Sequence, residues 1–161
     1  MRKLFCLLLA ALLCATALPS RGEEEDTLAV IVPTEQAGRI AGLADLALVY
    51  RRKRLLWEDG KRMQPVNLPP EHALRRTFSQ RVLNASPKAL GQYWSSMYFH
   101  GISPPHVLAS EEAVLRFVAE TPGAIGYVSA CKADARVKPV LWLAPDGSVL
   151  TQPPALKCNE P

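Results

Sequence analysis

The sequence predicts an α/β fold, a mixed and mainly parallel sheet flanked by helices. Three observations lead there. LAVIVP at residues 28–33 is a continuous apolar run rich in branched side chains, the pattern of a buried strand, and AIGYVS at residues 124–129 is a short alternating apolar run that reads as another strand. Between them lie segments whose apolar residues recur three and four positions apart, as on one face of a helix. Strand and helix patterns also alternate along the chain, the arrangement of a sheet covered by helices.

The chain opens with Arg2 and Lys3, an apolar run, and the small-residue pattern Ala15-Thr16-Ala17. This reads as a secretory signal peptide over 1–17, cleaved after Ala17, and predicts a periplasmic or secreted protein. The apolar run falls short of the roughly 20 residues of a membrane span, and Pro19 follows at once, so no stable anchor is expected. Leu13 before Cys14 also lacks the small side chain that lipid attachment requires. Residues 18–27 form a solvated acidic leader, and 28–161 a single domain with a C-terminal tail. Without Arg2 and Lys3 the 19 basic residues become 17 against 15 acidic, a charge of +2 that gives no electrostatic case for nucleic acid.

Leu43, Leu46, Ala47 and Tyr50 mark an amphipathic helix that ends in Arg51, Arg52, Lys53 and Arg54, cations suited to the negative end of its dipole. After the turn signal Glu58-Asp59-Gly60, QPVNL at 64–68 reads as a strand. Pro69 and Pro70 stop it and open a helix over 71–83 with Leu74, Phe78 and Val82 inward. Ser86-Pro87 begins another, with Leu90, Tyr93, Trp94 and Met97 inward. Ser110 caps a further helix, with Glu111 and Glu112 in its first turn and Val114, Phe117 and Val118 inward. The strand 124–129 follows, then a strand over 138–143, which Pro145-Asp146-Gly147 turns into Val149-Leu150.

Gly123 suits the left-handed cap that swings a helix end into a strand. Gly126 leaves one strand face bare, so a helix, another backbone or a ligand can approach closely, with Tyr127 directed to the opposite face. Cys6 and Cys14 leave with the signal. The even pair that remains, Cys131 and Cys158, predicts a disulfide in an oxidising compartment, contributing about 3–4 kcal/mol on the chain-entropy model; the alternative is two free thiols.

PGAIGYV at 122–128, preceded by VLRFVAETPG, resembles the corresponding stretch of the substrate-binding proteins of phosphate ABC transporters. LADLALVYRRKRLLWEDGKRMQPVNL resembles that family's helix, basic segment and following strand, with Tyr50, Arg52, Lys53, Trp57, Asp59 and Gly60 filling the pattern. One departure is an arginine, Arg52, where a glycine is expected before Lys53. The resemblance runs from Leu28 to about Leu143 and implies one lobe of a type II periplasmic binding protein. It also implies an anion site after QPVNL, where the family has an arginine and then Ser-Gly-Thr at a helix start. Here Leu68 stands near the arginine position, Glu71 brings a negative charge, and the hydroxyls are missing. His72, Arg75 and Arg76 are the ligand-binding candidates that remain, with solvent-facing helix residues as the alternative.

The three histidines, His72, His100 and His106, match no helical pair of metal ligands, and no nucleophile elbow, phosphate loop or dinucleotide fingerprint occurs. The sequence therefore predicts no metal, no cofactor and no catalysis. Its expected function is that of an exported solute-binding-protein-like domain with a degenerate phosphate site. The expected partners are an inorganic or organic anion, and an ABC permease or other envelope protein. The alternative is an envelope interaction module that kept the fold and binds no small molecule.

Overall fold

The structure, a computed structural model, describes residues 27–156 and Cys158. The signal peptide and all but the last residue of the acidic leader lie outside the described residues. The two apolar runs become the centre of the sheet: β1 (Leu28–Pro33) and β4 (Ala124–Ser129) lie side by side, and every residue of both is buried except Pro33. The remaining elements are α1 (Leu43–Tyr50), β2 (Gln64–Asn67), α2 (Ala73–Leu83), α3 (Leu90–Tyr98), β3 (His106–Val107), α4 (Glu111–Glu120), β5 (Val137–Leu143) and β6 (Val149–Leu150). A 3-10 turn, Ala130–Lys132, follows β4.

The strand order is β3-β2-β4-β1-β5-β6. β2 pairs parallel with β3 and β4, whereas β1 is antiparallel to both β4 and β5, and β5 to β6. The sheet is mixed, as expected, but the antiparallel pairings outnumber the parallel ones. The reason is the placement of β1. β2, β3, β4 and β5 all run one way, and β1 enters against them between β4 and β5, turning what would be a parallel contact into two antiparallel ones. An apolar run without alternation carries no direction in its sequence, so this insertion was not legible.

The two faces of β4 define the layers. A Cβ on Gly126 would lie 2.7 Å from Val114 Cγ1 and 3.0 Å from Val118 Cγ2, so α4 packs hard against the bare face. On the other face Tyr127 stacks on Phe78 of α2, ring centroids 3.9 Å apart, and lies near Tyr50 of α1. The close approach at Gly126 is thus by a helix. Gly123 takes φ 78°, and its bare Cα faces the carbonyl of Arg62, where a Cβ would come within 2.3 Å.

Helix starts differ in detail from expectation. α2 begins at Ala73, because Pro69 and Pro70 form a turn closed by His72 N–H on the Pro69 carbonyl, and His72 becomes the cap. Ser86 caps a turn rather than a helix: its Oγ accepts from Ala89 N–H, and α3 starts at Leu90. Only Leu90 of α3 is buried; Tyr93, Trp94 and Met97 are half-buried, and Tyr98 and the following Phe99 are 71% and 87% exposed. β5 tolerates Pro139 because its pairing with β1 is irregular between Val30 and Ile31, just where Pro139 opposes Ile31. β3 was not anticipated; two residues are too short a run to announce a strand. Cys131 and Cys158 form a disulfide with Cα atoms 5.5 Å apart, tying the tail to the 3-10 turn after β4.

Candidate functional site

Parallel strands end together, and the crevice beyond their C-terminal ends is where open α/β sheets hold ligands. In this chain β2 runs into α2 and β3 into α4, so both helix starts face the same edge of the sheet. His72 caps α2, its Nδ1 accepting from Leu74 N–H at 3.3 Å, and Ser110 caps α4, its Oγ accepting from Ala113 N–H at 3.2 Å. Both residues line a recess of about 410 Å³, with Glu111, Glu112, Lys132 and Arg136 among its other walls.

A carboxylate of the protein itself sits in this recess. Glu111, 7% exposed, accepts from the backbone N–H of Ser129 at 2.6 Å through one oxygen and from Lys132 Nζ at 2.6 Å through the other. Arg136 clamps Glu112 with two hydrogen bonds of 2.7 and 2.9 Å and also bonds both oxygens of Asp134. Those bonds hold the Glu112 and Asp134 carboxyls below the usual carboxylate range and push the Arg136 guanidinium up.

The end of β2, where the resemblance expects the anion-binding arginine, is closed by internal bonds. Tyr127 Oη donates to Asn67 Oδ1 at 3.2 Å and accepts from Leu68 N–H at 3.3 Å. Arg75 is buried, 7% exposed, and donates through Nε to Ser79 Oγ at 3.0 Å and through Nη1 to the Leu68 carbonyl at 3.4 Å. Burial pushes the Tyr127 phenol up to about 12 and the Tyr50 phenol well above its ordinary value. Tyr50 Oη donates to the Val66 carbonyl at 3.1 Å.

The three candidate ligand residues are therefore not brought together. His72 lies at the recess, Arg75 points into the core rather than to solvent, and exposed Arg76 folds back onto the carbonyl of Glu71. Glu111, Ser129 and Lys132 went unnoticed because the sequence explains each locally: Glu111 as a first-turn acid, Ser129 as a strand end, Lys132 as a surface base. Among the described residues no three His, Cys, Asp or Glu side chains gather as a metal site.

No family model matches the chain, and neither does any curated protein. Solved structures do. The fold is one shared with the substrate-binding proteins of phosphate ABC transporters, over a lobe-sized part of them. A phosphate ABC transporter substrate-binding protein from Clostridium perfringens, solved with phosphate bound, superposes with a TM-score of 0.59 at 16% identity, covering 72% of this chain and 45% of that one. An ABC-type phosphate transport receptor from Vibrio cholerae gives 0.57 at 16% identity, covering 72% and 46%. PstS from Borrelia burgdorferi gives 0.51 at 16% identity, covering 66% and 41%. The chain spans less than half the length of each, and at this identity the likeness is one of fold. These neighbours are binding proteins. No helix among the described residues is long and apolar enough to cross a membrane.

Proposed function

We propose that this chain is an exported binding module on the fold of a solute-binding-protein lobe, whose phosphate site is degenerate and whose work is docking to another envelope component. Such a component would be an ABC permease or another envelope protein. The observation that carries this reading is the Glu111 carboxylate seated on Ser129 N–H and Lys132, in the crevice where such a fold would hold an anion. A phosphate entering there must displace that carboxylate and separate Arg136 from Glu112 and Asp134. Its one to two negative charges would also meet the acids so released, so the exchange has no net electrostatic gain. Arg75 is held by Ser79 and the Leu68 carbonyl and offers no substitute. Exposed Tyr98 and Phe99 at the end of α3 support a macromolecular rather than a solute partner. A binding role rather than catalysis accords with the structural neighbours.

Isothermal titration calorimetry of the mature protein with phosphate, sulfate and organic phosphates tests it. No saturable heat attributable to the crevice is expected. Phosphate binding at about 1 μM or tighter, about −8 kcal/mol, with loss on Lys132→Met, would overturn the reading in favour of a solute receptor.

A further inference from the structure

At the opposite end of the parallel strands, before β2 and β3 begin, a second recess of about 190 Å³ opens between the segment after α1 and the loop before β3. Arg52, Arg62, Ser103, Pro104, Pro105 and His106 are among its walls, and no carboxylate lines it. Arg52 sits in an unusual conformation. Its N–H bonds the Val49 carbonyl at 3.0 Å and Lys53 N–H bonds the Leu48 carbonyl at 2.8 Å, the paired bonds of a Schellman motif. The residue between helix and loop in that motif is left-handed and usually glycine; here φ is 59° on an arginine.

The arginine is also incompletely satisfied. Nη1 donates to the Met63 carbonyl at 3.3 Å, while Nε is buried without a hydrogen-bond partner. An orphaned donor of this kind is costly, more so on a charged group. Burial, and then the like charge of nearby Arg62, hold the Arg52 guanidinium below its ordinary value. Arg62 makes no ion pair among the described residues. Left-handed strain, an orphaned donor and an unneutralised cation pair thus meet at one recess. The last two are relieved together by one anion, and the first marks a position where glycine would be the easier residue.

We propose that this recess binds a carboxylate, held between the guanidiniums of Arg52 and Arg62. The choice of carboxylate over a tetrahedral oxyanion follows from the donors. Pro65, Pro104 and Pro105 supply no N–H, so beside Ser103, His106 and Gln64 the charged donors are two planar guanidinium forks, whose paired N–H groups match the two coplanar oxygens of a carboxylate. A small turn of the Arg52 fork gives Nε an oxygen, and the anion cancels the repulsion from Arg62. The carboxylate comes either from a free small acid or from an Asp or Glu side chain of a bound segment. This site is separate from the crevice and does not depend on how the crevice behaves.

The test is NMR titration of the mature protein, following the Arg52 Nε–H and the backbone amides of Met63 and His106. The probes are sodium acetate, sodium succinate and a blocked acidic peptide, with sodium chloride at matched ionic strength as control. Saturable shifts with a carboxylate and not with chloride are expected, weakened about tenfold by Arg62→Gln. Response to acetate or succinate identifies a small acid as sufficient; response to the peptide alone identifies a segment. Arg52→Gly, which suits the left-handed backbone, is expected to abolish the shifts while keeping or raising the melting temperature. Shifts no larger than those of chloride, shifts unchanged in Arg62→Gln, or a lower melting temperature in Arg52→Gly would overturn the proposal. Failure here is read at the amides around Arg52 and Met63, whereas failure of the crevice reading is read as phosphate heat that Lys132→Met removes.

Discussion

At Gly126 and at Arg52 a single side chain, or its lack, decides the local structure. Gly126 admits Val114 and Val118 of α4 so closely that an added methyl lies inside van der Waals contact. Gly126→Ala is expected to lower stability by about 1–3 kcal/mol, the usual cost of overpacking a filled core, with the fold retained; equilibrium urea unfolding measures it. From sequence the glycine could mean packing or a ligand, since the approaching residues lie twelve and eight positions away on another element. At Arg52 the departure from the family's glycine was legible, but its meaning was not. Only the backbone reveals that the expected glycine serves a left-handed helix end. Arg75 makes the same point from the other side: sequence placed it on the helix near the expected anion site, and the neighbouring core turned it inward.

Helices and loops around the crevice are joined by charge as much as by apolar contact. Arg136, in the loop between β4 and β5, reaches Glu112 at the start of α4 and Asp134 in its own loop. Both carboxyls sit below their ordinary range because Arg136 bonds their charged forms. A carboxyl whose folded-state pKa is depressed contributes stability above its unfolded value, near 4, and loses that contribution as pH falls through the folded value. Arg136→Met is therefore expected to lower the urea midpoint slightly at pH 7 and to converge on the wild type as pH falls below about 4. A gap that persists unchanged at low pH would exclude this linkage. The caps at Ser110 and the apolar faces of α1, α2 and α4 were legible because their signals are local. α3 was not read correctly in depth, because periodicity reports which residues share a face and not whether another element covers it.

Across the described residues, the fold rests on a sheet with β1 at its centre. The fold class and most strand positions were legible, since length and continuous apolarity suffice for them; the order β3-β2-β4-β1-β5-β6 was not, since pairing between distant segments leaves no local mark. The tail is held covalently, not by a strand of its own. Replacing both Cys131 and Cys158 by Ala is expected to lower unfolding free energy by about 3–4 kcal/mol on the chain-entropy model, read from urea midpoints against the oxidised wild type. An unchanged midpoint would mean that the cross-link contributes nothing to stability.

Leu28 lies opposite Ser129 on one side and Leu143 on the other, so β1 finds both its neighbours only after about a hundred further residues have been made. Until then both flanks of a wholly greasy ribbon stay open to any strand that passes. In a sheet built in this order the middle closes last, once β4 and β5 have both been made.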